Sequence, residues 1–284
     1  LFNFIVFFIF DYIFEANIIN NVFNLTSTSQ VLSFYFGMVF FIVIGLFDDV
    51  KGLSPLTRTL GSALILFFVL KLNTGLLIEN FDLNFLKLTI NTRSISVAFT
   101  ILCIWTLFNM LNMYDGMNLQ SGINFILIFS FFYFKFDKEI IFLVFIISGI
   151  FFLILNSNNK MFLGNAGIYF LSYIIFFIVL MKHNVSYSVN AEEILLLFMI
   201  PLLDLVRVTG KRISELKNAF IGDLNHIHHK LISKYKLITS NIILALLSGV
   251  PIVLNYWKIF SIEYLVCGSI FFYFGIIYII KKKF

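Results

Sequence analysis

The chain has 284 residues, 60% hydrophobic and 12% charged, with 39 Phe and a formal net charge of +5. A soluble domain carries about 25% charged residues and could not bury this much apolar surface, so a water-soluble globular protein is excluded and an all-α polytopic membrane protein is expected. The Lys and Arg cluster near the ends of apolar runs, which reads as membrane topology rather than nucleic-acid binding.

A bilayer-spanning helix needs about 20 mostly apolar residues. Ten segments are candidates, in chain order 1–19, 31–47, 57–71, 94–111, 120–135, 139–156, 165–182, 191–207, 240–256 and 262–280. In the first, Asp11 and Glu15 are four residues apart, on one helical face that should point into the bundle or lie near an interface. The chain opens on Leu1 with no charged leader and no small-residue cleavage site, so 1–19 is not read as a signal peptide and a missing N-terminal piece is expected. Segment 72–93 has partial period-2 alternation and is expected to form a short hairpin. Cys103 and Cys267 sit inside apolar runs and read as small packed side chains, not a disulfide. The whole chain, 1–284, is read as one membrane domain with a polar loop at 208–239.

The connections alternate sides. One side holds Lys51, Arg58, Lys160, Arg207, Lys211, Arg212, Lys217, Lys230, Lys234, Lys236 and Lys281 to Lys283. The other holds Lys71, Lys87, Arg93, Lys135, Lys138, Lys182 and Lys258. The positive-inside rule makes the first side cytoplasmic. The same side receives every notable polar cluster: FDDVKGLSP, FNMLNMYDGMN, FLGNAG and GDLNHIHHKL. Acids, amides and histidines gathered at one membrane face suit an active site there.

Each cluster has a plain reading and a chemical one. Asp48 and Asp49 either end a helix as interfacial charges or, with Lys51 and Arg58, serve phosphate chemistry through Mg²⁺ or a proton. Asn109, Asn112, Asp115 and Asn118 recur every three residues, on one helical face, and Gly116 permits a close approach. Such a row is costly at a membrane helix end without partners and reads as a ligand set for Mg²⁺ or a nucleotide. Asn165 is either a helix N-cap or part of a phosphate site at a helix start. His226, His228 and His229 follow Asp204, Arg207, Lys211, Arg212 and Asp223. No cysteine is near and the other clusters offer hard oxygen ligands, so contacts to a diphosphate fit better than zinc.

In this order the four motifs resemble the polyprenyl-phosphate N-acetylhexosamine-1-phosphate transferases, glycosyltransferase family 4, from about Gly45 to Leu231. The pattern PLLD…R…D…HIHHKL resembles the undecaprenyl-phosphate GlcNAc-1-phosphate branch more than the related phospho-MurNAc-pentapeptide branch. The resemblance implies transfer of a sugar-1-phosphate from a UDP-sugar, by default UDP-GlcNAc, to undecaprenyl phosphate, with release of UMP. It implies Mg²⁺, or Mn²⁺ in its place, a multi-pass protein of a bacterial inner membrane with a cytoplasmic site, and a role at the start of an envelope polysaccharide such as O-antigen. Membrane lipid surrounds it, and a homodimer is compatible with it. Asp48, Asp49 and Asp115 are then expected to be catalytic. Lys51, Arg58, Asn109, Asn118, Arg212, His226, His228 and His229 are expected to bind substrate, and Asn112, Asp115 and Asn165 to bind metal. Asp204 also matches a family position.

Three departures stand out. The family's F-M/L-G-D-x-G has Asn165 in place of Asp, a metal ligand in the family. Its DGxDGL reads DGMNLQ here. Its early Pro-Arg-x-Gly-Gly stretch is absent, which suggests eleven helices in a complete protein. Two rival readings remain: a secondary transporter for an anionic solute with the Arg/His loop as gate, and a catalytically weakened family member. Transporters place polar groups at the bilayer midplane, whereas these lie at one face.

Overall fold

The computed structural model describes residues 25–185, 187–216 and 225–282. Segment 1–19, with Asp11 and Glu15, and also Lys217, Asp223 and Lys283 lie outside these residues. The helices are α1 (Thr28–Lys51), α2 (Pro55–Leu72), α3 (Ser96–Tyr114), α4 (Gln120–Lys135), α5 (Ile140–Ser157), α6 (Gly164–Asn184), α7 (Ala191–Leu197), α8 (Met199–Ser214), α9 (Ile227–Ile232), α10 (Leu237–Tyr256) and α11 (Ile262–Lys282). Strands β1 (Asn80–Leu83) and β2 (Leu88–Asn91) pair antiparallel, Asn80 opposite Asn91, which is the expected hairpin.

Among the described residues, seven helices are long and apolar enough to cross a membrane: α1, α2, α3 with the turn before it, α5, α6, α10 and α11. The protein is an all-α, multi-pass membrane protein. Of the other expected spans within the described residues, one has its expected bounds but is shorter, and one differs. Segment 120–135 is a helix of only 16 residues. Segment 191–207 is broken at Phe198 into the seven-residue α7 and the 16-residue α8. Apolar content marked 191–207 as one span, because hydropathy does not register where a helix breaks. Helix α8 also runs past 207 to Ser214, so the polar loop begins as a helix. Cys103 and Cys267 are free thiols, and Cys267 is exposed rather than packed. Side chains such as Val39, Phe40, Leu46 and Phe47 of α1 are also exposed. On membrane helices these face lipid, which needs no burial against protein.

The chain divides into two compact units, residues 1–109 with 163–191, and residues 110–162 with 192–284. In the first unit, α1 packs on α6 and α2. Gly37 and Gly45 make the close approach: a Cβ at Gly37 would sit 2.2 Å from the Tyr173 ring, and one at Gly45 2.4 Å from the backbone of Ala166. Small residues let membrane helices touch where no water drives them together. Phe41 stacks on Tyr173 at 5.3 Å, and the Tyr173 hydroxyl donates to the Ser33 carbonyl at 2.8 Å. In the second unit, α4 pairs with α5 and α10, and α10 with α11. Its buried core joins Tyr114, Ile200, Ile227, Leu231, Leu244 and Tyr273. Lys135 of α4 pairs with Glu193 of α7 at 2.8 Å, and Asn255 of α10 donates to the same carboxylate.

Candidate functional site

In the first unit, the last turn of α1 carries Asp48 and Asp49. Gly52, at φ +64, ends the helix in a left-handed cap, and Ser54 with Pro55 starts α2 after a three-residue link. The turn returns Arg58 toward Asp48. Asp48 is buried and accepts from the Leu53 amide at 2.8 Å, the Tyr169 hydroxyl at 3.2 Å and Arg58 Nη1 at 3.5 Å. Asp49 also reaches α6, at its first turn. Its two oxygens accept from the backbone amides of Asn165 at 2.7 Å and Ala166 at 3.1 Å. An anion at a helix N-terminus meets unpaired N–H groups and the positive end of the helix dipole. Gly164 is at φ +65, and a Cβ there would lie 2.7 Å from Asp49 Oδ2.

This corrects the capping reading of Asn165. Helix α6 starts at Gly164, its cap residue Leu163 makes no side-chain cap bond, and Asp49 supplies the cap from another helix. The structure thus brings together Asp48, Asp49, Arg58 and the α6 start that carries Asn165. Two expected partners point elsewhere. Lys51 Nζ lies over the Phe47 ring at 5.5 Å. Asn109 Nδ2 donates back to the Trp105 carbonyl at 2.7 Å, within its own helix.

In the second unit, α3 ends at Tyr114 and the loop Asp115–Leu119 leads into α4. Asp115 Oδ1 accepts from Ser121 Oγ at 2.6 Å, and burial pushes its carboxyl above the usual range. Asn118 donates to Asn159, and its carbonyl accepts from Asn241 Nδ2 at 3.0 Å. Leu119 stands at φ +73 and donates its amide to Asn156 Oδ1 at 2.6 Å. Asn156 also reaches the Met161 carbonyl at 2.8 Å. Asn156, Asn159 and Asn241 hold this loop, and sequence reading missed all three. The run LNSNN at the end of α5 was the available signal.

The His motif joins a buried polar hub around Asp204. His226 Nδ1 meets Asp204 Oδ2 at 2.7 Å. Asp204 Oδ1 accepts from Arg207 at 2.6 Å, the Tyr273 hydroxyl at 2.7 Å and the Ile227 amide at 3.0 Å. Arg207 also donates to the Asn225 carbonyl at 2.7 Å and to the Tyr273 hydroxyl at 2.7 Å. The short α9 is thereby fixed to α8 and α11. Tyr273, deep in an apolar helix, gave no sequence signal. The rings of His226 and His228 stack at 5.5 Å, and His228 and His229 lie 4.2 Å apart. His228 is pushed down to about 3 by burial, then by its two histidine neighbours, which favours the neutral imidazole at physiological pH. Its Nε2 faces Gly116, where a Cβ would stand only 1.8 Å away. The His motif and the Asp115 loop are therefore in contact. Arg212 is buried.

Among the described residues there is no group of three His, Cys, Asp or Glu placed to hold a metal ion. A preformed protein cage is thus not what these residues offer. Asp115, with Asn112 one turn earlier, is a hard-oxygen set: one desolvated carboxylate and an amide. That fits Mg²⁺, which usually takes one or two carboxylates and fills its shell with substrate phosphates and water.

A family model for glycosyl transferase family 4 matches residues 31–183, more than half of the chain. The chain belongs to glycosyl transferase family 4. Members are sugar-phosphate transferases, and this family 4 protein is in general terms a polyprenyl-phosphate sugar-phosphate transferase. Its substrates are by class a sugar nucleotide and a polyprenyl phosphate lipid in the membrane. The match takes in Asp48, Asp49, the Asp115 loop and Asn165, and ends before Asp204 and the histidines. No curated protein matches the chain at a significant level.

Proposed function

We propose that this family 4 protein transfers a sugar-1-phosphate, GlcNAc-1-phosphate by default, from a UDP-sugar to undecaprenyl phosphate at the cytoplasmic face of a bacterial inner membrane. A lipid phosphate oxygen attacks the β-phosphorus, the bond to the UMP oxygen breaks, and UMP leaves. The product would start an envelope polysaccharide such as O-antigen. The observation that carries this reading is the aspartate pair: Asp48 is joined to Arg58 and Asp49 to the first amides of α6, inside the segment matched by the family.

Phosphoryl transfer between anions needs charge neutralisation and in-line positioning more than covalent help. In this reading Arg58, oriented by Asp48, offsets phosphate charge. Asp49 holds the α6 start, with Asn165 beside it, in register with α1. Asp115, Asn112 and Asn118 receive the nucleotide end, and Asp115 with Asn112 would hold Mg²⁺, which supplies neutralisation of the diphosphate. His228, kept neutral, donates or accepts a hydrogen bond rather than contributing charge, and His226 is fixed by Asp204.

The test is UMP release from purified protein, undecaprenyl phosphate and a panel of UDP-sugars, with and without Mg²⁺. Release that needs both lipid and metal is expected, and silence with every sugar overturns the reading. Uptake of an anion into proteoliposomes without UMP would restore the transporter alternative. Asn165 favours a second reading, a family member with weakened metal binding. Asn165→Asp should raise Mn²⁺ affinity measured by electron paramagnetic resonance. Unchanged affinity would remove Asn165 from the metal set.

A further inference from the structure

Beside the loop of Asp115 and Asn118, buried polar side chains from α3, α4 and α10 meet around a small space. Tyr114 ends α3, Gln120 and Asn124 lie in the first turns of α4, and Asn241 and Ser248 lie on α10. Gln120 and Asn241 are each 2% exposed and Ser248 5%. Both polar atoms of the Gln120 side chain, Asn241 Oδ1 and Ser248 Oγ take no hydrogen bond among the described residues. The Tyr114 hydroxyl is near Gln120 and Ser248, but neither pair has hydrogen-bond geometry. Helix α10 is a membrane span, where bulk water is not at hand to satisfy such groups.

The chemistry of the orphaned atoms selects the ligand. Gln120 offers an amide donor and a carbonyl acceptor, Asn241 a carbonyl acceptor, and Ser248 either role. A cation would leave the amide donor unmet, and an anion would leave both carbonyls unmet. No charged side chain lines the space. Only a molecule that donates and accepts at once answers all of them. The room for the centre of a water-sized sphere is about 10 Å³. That is about what one water molecule requires, with two to four polar partners.

We propose that a single ordered water is bound between Gln120, Asn241 and Ser248 as a standing part of the protein. It joins the start of α4 to α10. Asn241 passes the connection on, since its other side-chain atom donates to the Asn118 carbonyl at 3.0 Å. The water thus braces the loop that carries Asp115 and Asn118. This proposal does not depend on the transfer reaction, and its test does not measure it.

The test is X-ray hydroxyl-radical footprinting of the full chain in lipid nanodiscs, read by mass spectrometry. A bound water generates radicals in place and labels the side chains around it. Tyr114 and Leu244, 3% and 2% exposed, should label several-fold above Tyr173, which is 0% exposed. Gln120→Leu should bring Tyr114 down to the Tyr173 level. Tyr114 and Leu244 as silent as Tyr173 in the unmodified protein, or labelling unchanged by Gln120→Leu, overturns the proposal. Should Gln120→Leu loosen the fold, seen as new label on Tyr173, then Ser248→Ala is read by the same two criteria.

Discussion

Asp204 accepts hydrogen bonds from His226, Arg207, Tyr273 and the Ile227 amide, so its carboxylate is the node that keeps α9 in place. Removing one partner of a buried charged network leaves the others uncompensated, at about 3–5 kcal/mol. Asp204→Ala should lose about that much stability, measured by unfolding in detergent, and Tyr273→Phe about 1 kcal/mol for one hydrogen bond. His228 makes a second residue-scale prediction. Its folded value of about 3 lies below the ordinary 6.5, so between those values the unfolded chain binds a proton that the folded chain refuses. Stability therefore falls as pH drops through that window. His228→Gln should flatten the loss of thermal stability between pH 7 and 5, and an identical slope in the variant would put His228 in a different environment. The three His were visible in GDLNHIHHKL. The neutrality of His228 was not, because it follows from burial and from neighbours that only folding supplies.

At the scale of elements, the loop Asp115–Leu119 is built around two backbone demands. Gly116 must be small because His228 Nε2 occupies the place of its Cβ. Gly116→Ala would force the loop and the His motif apart. A displacement of about 1 Å can cost about 10²-fold in rate, and a loss of that order in UMP release is expected with the protein still folded. Leu119 is left-handed at φ +73, where the family pattern has Gly. Leu119→Gly should relieve strain and stabilise the fold by about 0.5–1 kcal/mol, seen as a raised unfolding midpoint. A drop would mean that Leu119 packing outweighs its strain. Helix ends were partly legible here: Ser54-Pro55 and Gly52 mark the α1–α2 turn in the sequence. The cap of α6 was not, because its donor of charge, Asp49, lies more than a hundred residues away.

For the whole molecule, the topology of the first unit is open to a direct check. Lys51 and Lys87 lie beyond opposite ends of α2, which at 18 residues spans about 27 Å. With Cys103 and Cys267 changed to Ser, Lys51→Cys should react with an impermeant maleimide only from the cytoplasm, and Lys87→Cys only from outside. Both reacting from one side would break the assigned topology. By itself the sequence determined the membrane class, most of the spans and a hairpin within 72–93, because hydropathy and short-range spacing are local properties that survive without the fold. Only the tertiary structure decided that α7 and α8 are separate helices, that Asp49 caps α6, that Asn156, Asn159 and Asn241 hold the Asp115 loop, and that Tyr273 completes the Asp204 hub. All but the first of these are contacts between residues distant in the chain, and such contacts are set by which helix faces pack together, which no local pattern records.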